Sequence, residues 1–487
     1  MMAQAAGPND SSLSGRSALH DPSATFTSSG RLPEIGRSRE RRAPGSHARV
    51  RVTADCCRRY GVGSVSSTLR GMQKLFDPAR HEALTVQTWS PDLAHRAIER
   101  ICTAAEAEFD EREGSWLLHP QDDPPQPGAR SLNLYWGATG VVWALHHLAE
   151  VGAVRLQRDY MRWIERYPDG MREEAAGEQH GSASYLFGES SALLLAWLQT
   201  RRSDLADRLH AIVQGNRHNS AHEPLWGNAG TVLAAIRMAE SGDGDRWGDL
   251  VSQCLDALIQ DMVIDPDIGT WIWQQDLYGH RSRHLGAGHG LAGNAFAVLR
   301  GASHMDASLV RSIEQRVLET LSAMALYAGP DAIDAEPALV NWPVAADKEI
   351  IAAWQAKGRL PLVQDCHGAP GIVCRLAGVP RDAPWDKLLR GAGELTWHAG
   401  PLAKGPSLCH GTAGSAMACL KLWRRFADPI WLERARLLAL HAAEQVEVAR
   451  ARHGQGRHSL WTGDMGVACI LWNCIVGEDR FPTLDHF

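Results

Sequence analysis

From about residue 75 onward the chain alternates two kinds of helical segment. In RWGDLVSQCLDALIQDM, Trp247, Val251, Cys254, Leu255 and Leu258 recur on one face, which predicts an amphipathic helix with one buried side. After Asp428-Pro429, a natural N-cap followed by a natural first helical residue, IWLERARLLALHAAEQ predicts another. The second kind is apolar almost all round, as in GVVWALHHLAEV, GTVLAAIRMA, GNAFAVLR and GSAMACLKLWRRF. A helix without a polar face belongs inside a protein.

The apolar runs open on a recurring tetrad: GATG at 137–140, GESS at 188–191, GNAG at 227–230, GLAG at 290–293, GAPG at 368–371, GTAG at 411–414 and GDMG at 463–466. Six are GxxG and one is GxxS. The pattern predicts an all-α protein of seven helix pairs, a closed double α/α toroid whose inner helices start at the tetrads; an open solenoid of the same pairs is the alternative. The tetrads are spaced by 51, 39, 63, 78, 43 and 52 residues, so insertions are expected in the loops before the fourth and fifth repeats.

Residues 1–71 differ: Ser, Gly, Pro and Arg dominate, Lys is absent and no apolar period exists, which predicts a disordered extension before a single toroid domain at 72–487. No run approaches the roughly 20 apolar residues of a membrane helix. A net charge of -6 gives no reason to expect nucleic acid or an anionic membrane as partner. The ten cysteines are scattered through a long chain, unlike a disulfide scaffold, and a reducing cytoplasmic location is expected.

If every tetrad starts an inner helix, the residues before it line one mouth of the ring. The residue just before is His289, His367 and His410 in repeats 4 to 6, and Trp136, Phe187 and Trp226 in repeats 1 to 3. Two places before it, repeats 5 and 6 both carry cysteine, Cys366 and Cys409. Two thiolates and an imidazole from neighbouring repeats suit Zn²⁺, and three protein ligands leave a fourth position for substrate. The aromatic half of the mouth offers an apolar wall for a peptide, with Trp226 the candidate contact.

These residues resemble the LanC-like proteins, relatives of the lanthionine synthetase cyclases. The resemblance runs from FDPARHE near residue 76 to the closing RFPTLDHF, and rests on GAGHGLAG, DCHGAPGI, LCHGTAGSA and LWTGDMG. It implies a double α-barrel, zinc ligands at Cys366, Cys409 and His410, a catalytic histidine at His289, and a non-ligand role for His367. Lys404 looks like the lysine that eukaryotic-type members place near a glutathione thiol. Arg452 and Arg457 precede the last tetrad, and Arg457 is the candidate for a glutathione carboxylate. Lanthipeptide cyclases usually carry an aspartate four residues before the second-repeat glycine; here Ser184 stands there, which leans toward the glutathione-using branch.

The implied activity is addition of a thiol to a dehydroalanine or dehydrobutyrine residue of a peptide or protein, forming a thioether. The thiol would come from glutathione or from a peptide cysteine. A lanthionine cyclase with a dedicated precursor peptide and a non-catalytic zinc- and glutathione-binding module are the alternatives.

Overall fold

The computed structural model describes residues 75–487 apart from 86, 123, 177–180, 278 and 329–337. The extension expected at 1–71 lies outside the described residues. Ser64–Phe487 forms one compact unit.

The described residues contain sixteen α-helices, arranged in two rings. In chain order they are α1 (Pro91–Ala107), α2 (Ala138–Glu150), α3 (Met161–Ile164), α4 (Tyr167–Glu174), α5 (Glu189–Thr200), α6 (Ser203–Asn216), α7 (Asn228–Glu240) and α8 (Arg246–Gln260). There follow α9 (Leu291–Arg300), α10 (Ala307–Met324), α11 (Lys348–Ala356), α12 (Ala369–Leu376), α13 (Ala383–Ala399), α14 (Thr412–Phe426), α15 (Pro429–His453) and α16 (Asp464–Val476). The helices α2, α5, α7, α9, α12, α14 and α16 open at the tetrads and form the inner ring. Their apolar surfaces explain the placement: in α14 every residue from Thr412 to Leu422 is buried. Of the outer helices, α8 buries one face and sinks the five residues that its periodicity singled out, whereas α15, expected to be amphipathic, is buried all round from Leu438 to Ala443. Asp428 caps α15 through the Ile430 amide, with Pro429 in the first turn.

Closure distinguishes a toroid from a solenoid, and the ring closes. Each inner helix touches the next, and α16 touches α2. Main-chain hydrogen bonds join the loops that precede the inner helices: Gly288 N to Cys366 O at 3.1 Å, Cys366 N to Cys409 O at 3.2 Å, Cys409 N to Trp461 O at 3.0 Å, Trp461 N to Tyr135 O at 3.1 Å and Tyr135 N to Leu186 O at 3.2 Å. The Ser184 hydroxyl donates to Leu225 O, and Asn294 Nδ2 to His222 O at 2.8 Å, completing the circuit.

The tetrad has a physical explanation. No residue at the N-cap of an inner helix caps it with its own side chain, and in five of them the first amide is instead taken by the main-chain carbonyl seven residues upstream, as from Ala138 to Ser131 O (3.0 Å) and from Leu291 to His284 O (3.0 Å). The loop must lie directly on the helix start. A Cβ at Gly371 would sit 1.7 Å from Asp365 O, and one at Gly466 2.4 Å from Leu460 O, so glycine is needed for close approach.

The insertions are where the spacing placed them, before repeats 4 and 5. They carry three antiparallel pairs: β1 (Met262–Ile264) with β2 (Trp271–Trp273), β3 (Gln275–Leu277) with β4 (His280–Ser282), and β5 (Leu326–Tyr327) with β6 (Val340–Asn341). They brace the mouth. Arg283, just after β4, binds Asp265, Asp267 and Asp347 at 2.5, 3.1 and 2.9 Å. Asn341 accepts the Ala369 amide at 2.9 Å and donates to Leu362 O at 3.1 Å, spanning the loop that carries Cys366.

Candidate active site

The loops before α9, α12 and α14 bring the chemistry together. One ligand atom from each of Cys366, Cys409 and His410 lies within 4.8 Å of the other two, a group that could hold a metal ion. Cys366 Sγ and His410 Nδ1 are 4.0 Å apart. Burial holds His410 below the usual imidazole range, and the nearby charges of Lys404 and Arg457 add to this, favouring the neutral form that a ligand requires. Donation from Cys409 pulls Cys366 well below the ordinary thiol range, while burial and the Cys366 sulfur push Cys409 well above it.

Each sulfur also has a side-chain neighbour. Gln364 Nε2 donates to Cys366 Sγ at 3.0 Å, and Tyr135 lies close enough to Cys409 for the charge of one to bear on the other. Burial, then the two sulfurs, hold Tyr135 in its protonated form, which is the donor form.

His289 Nδ1 lies 3.0 Å from Glu223 Oε2. Glu223 is fully buried and also accepts the amides of Leu225 at 3.0 Å and Trp226 at 2.6 Å. A carboxylate so placed fixes the imidazole with its proton on Nδ1 and makes Nε2 the nitrogen that exchanges protons with a substrate. His367 is not one of the three donors. Its ring lies 5.8 Å from that of His289 and 5.7 Å from that of His284.

Lys404 sits exposed on the turn before Cys409, close enough for the two sulfurs to act on its charge. Arg457 is clasped by Asp122, with Nε at 3.0 Å, and Nη2 donates to Gln121 O at 3.3 Å. Trp226 stacks on Phe187 at 5.1 Å, and Phe187 meets Trp136 at 5.1 Å and Tyr135 at 4.9 Å. The aromatic wall is therefore continuous, but Trp226 is only 5% exposed. Trp136 and Phe187, each half-buried, present more surface.

The sequence reading missed Glu223, Gln364 and Tyr135, although the repeat register carried a signal for all three. Four places before the tetrad stand Asn133, Ser184, Glu223, Gln364, Ser407 and Ser459, polar in six of seven repeats. Asn133 Oδ1 accepts the Trp136 amide at 2.9 Å, Ser184 Oγ the Phe187 amide at 2.8 Å and Glu223 the Trp226 amide, so this position braces the loop. The acid missing at Ser184 is present at the equivalent place one repeat later, as Glu223. Tyr135 stands two places before its tetrad, the register of Cys366 and Cys409.

A family model described as lanthionine synthetase C-like protein matches residues 128–485. The chain is 26% identical over 245 residues to a Danio rerio protein named Glutathione S-transferase LANCL1, an alignment covering 47% of this chain and 53% of that one. It is 33% identical over 129 residues to the Arabidopsis thaliana LanC-like protein GCL1, covering 25% of this chain and 30% of that one. The chain thus spans about half, or less, of the length of these relatives. Among solved structures, nisin cyclase has the same fold, with a TM-score of 0.52 at 15% identity over 79% of this chain and 98% of that one. A match over most of the sequence, on a closed ring of seven helix pairs, establishes that the chain belongs to the lanthionine synthetase C-like family.

Proposed function

We propose that this protein is a zinc-dependent enzyme that adds a thiol, glutathione in the first instance, to dehydroalanine or dehydrobutyrine residues. The observation that carries this reading is the convergence of Cys366, Cys409 and His410 beside a histidine oriented by a buried carboxylate. Two sulfurs and one nitrogen match the preference of Zn²⁺, and neither burial nor charge at His410 opposes ligation. When bound there, zinc would keep an entering thiol, with an ordinary pKa near 8.5, as the thiolate at neutral pH.

The remaining steps fall to the chain's own residues. The thiolate sulfur forms a bond to the β-carbon of the dehydro residue, and the double-bond electrons move to the α-carbon and its carbonyl. His289 Nε2 delivers the proton that the α-carbon takes up, and Glu223 stabilises the imidazolium before transfer. Lys404 and the Asp122-clasped Arg457 place positive charge at the mouth, where a glutathione carboxylate would sit. Trp136, Phe187 and Trp226 form the wall against which an acceptor peptide would lie.

The test is mass spectrometry of a dehydrobutyrine peptide incubated with glutathione and zinc-loaded protein, with Cys409→Ala in parallel. A gain of one glutathione that requires the protein and is lost in the variant is the expected result. No adduct from protein that carries zinc would overturn the glutathione reading.

A further inference from the structure

The chain beyond α16 turns back into the ring. Asp485 takes Lys421 Nζ of α14 at 2.7 Å and the Phe481 amide at 2.6 Å, and the Tyr185 hydroxyl donates to Thr483 O. His486 packs on His147 of α2 at 4.6 Å between ring centres, and Phe487 lies 5.9 Å from Trp143 of the same helix. The segment from Phe481 to Phe487 therefore ties together inner helices from opposite ends of the chain.

Its first residue reaches toward the candidate metal centre. The buried Phe481 ring packs on Trp461 at 5.3 Å, and the Arg375 guanidinium of α12 lies 4.4 Å from its centre. Arg375 Nη2 donates to Asp365 Oδ2 at 2.7 Å, and Asp365 directly precedes Cys366. This buried ion pair does not lock itself. A guanidinium and a carboxylate fix their mutual geometry when two parallel hydrogen bonds join them. Here Asp365 Oδ1 and Arg375 Nη1 have no hydrogen-bond partner among the described residues, so the pair is joined at one point. What restricts the guanidinium from turning about that point is packing, by Phe481 at 4.4 Å and by Phe296 of α9 at 5.9 Å. Asp365 in turn has no slack, since a Cβ at Gly414 would sit 3.1 Å from its own Cβ and its carbonyl lies against the start of α12 at Gly371. A shift at Asp365 is passed on to the next residue.

We infer that Phe481 and Arg375 are positioning residues for the metal centre: the C-terminal segment, through Phe481, holds the Arg375 guanidinium on Asp365 and so fixes the loop that presents the Cys366 sulfur. The inference rests on the zinc-binding reading of the preceding subsection. It does not depend on which thiol is the substrate.

The test is the rate at which zinc leaves the loaded full chain for a chromogenic chelator. Phe481→Leu, which keeps an apolar side chain but removes the aromatic face, is expected to speed zinc release about five- to tenfold. Asp365→Asn, which breaks the ion pair from its other end, is expected to act in the same direction. The double variant should release zinc no faster than the faster single variant, because both substitutions cut one tether. Phe487→Leu removes a ring from the same segment, one that packs on α2 rather than on Arg375, and should leave the rate unchanged. On the cobalt-loaded chain the sulfur-to-metal charge-transfer absorption should change in Phe481→Leu and not in Phe487→Leu.

Equal acceleration by Phe481→Leu and Phe487→Leu would trace the effect to a loosened segment, and additive effects of Phe481→Leu and Asp365→Asn would show that the two act separately. Either result, or a wild-type rate in Phe481→Leu, overturns the inference while zinc binding stands. If Asp365→Asn fails to fold, the comparison of the two phenylalanine variants decides by itself. A wild-type chain that takes up no zinc overturns the inference and the zinc reading together.

Discussion

Glu223 places a carboxylate oxygen 3.0 Å from His289 Nδ1 while three main-chain and side-chain donors in all converge on that one carboxyl group. Glu223→Gln keeps the size but removes the charge that stabilises an imidazolium, and is expected to lower kcat for thiol addition roughly 10- to 100-fold. Zinc content should be unchanged, since none of the three metal donors is altered; a matching fall in bound metal would show that Glu223 acts on the fold instead. Recurrence of Cys-His-Gly in register put Cys366, Cys409 and the histidines at 289, 367 and 410 at one mouth, and the family resemblance singled out His410 as a ligand and His289 as the catalytic candidate. Glu223 stood in a visible register position, but its contact with His289 was not legible, because that contact bridges two repeats and depends on the depth at which each loop sits. Trp226 was legible as part of the aromatic wall, but not its near-complete burial, which packing on Phe187 and the closure of the neighbouring loops impose.

Among the elements, the start of each inner helix is the most constrained. Gly371→Ala would force a Cβ to 1.7 Å from the Asp365 carbonyl, one residue before Cys366, and is expected to cost about 2–4 kcal/mol and to weaken zinc retention. Gly215→Ala in α6, where nothing lies within 4 Å, is the comparison and should stabilise by about 0.5–1 kcal/mol through helix propensity. Denaturant melts of the two variants would compare these costs directly. Helices were legible where the run is long enough to show an apolar face or an unbroken apolar surface, as in α8 and α14. The strands β1 to β6 were not, since a run of two or three residues cannot express a period of two. Only the position of the insertions could be read, from the long intervals before Gly290 and Gly368.

At the scale of the whole molecule, buried histidines set the acid limit of the fold. Burial lowers His284 and His486 to about 3, and His119 and His147 to about 4, from a usual 6.5. The unfolded chain therefore binds more protons at these sites, and the stability they permit is complete above pH 6.5 and lost as pH falls toward 3 to 4. Burial raises Asp365 and Asp464 to about 6, which acts in the opposite direction below that pH. The four imidazoles outweigh the two carboxyls, so Tm should fall between pH 7 and pH 5; a flat profile would show that these rings are hydrated in solution. Among the described residues no helix is long and apolar enough to cross a membrane.

Closure itself was the one architectural choice the repeats left open, since periodic sequence is equally compatible with an open stack. The structure closes it through hydrogen bonds between neighbouring loops, five of them main chain to main chain and two from the side chains of Ser184 and Asn294, and the loops that bear the candidate ligands belong to the same circuit. A hoop has no end from which to fray. The amides of Gly288, Cys366, Cys409, Trp461 and Tyr135 should consequently exchange with deuterium as a single slow class, and a break anywhere in the circle should release all five at once.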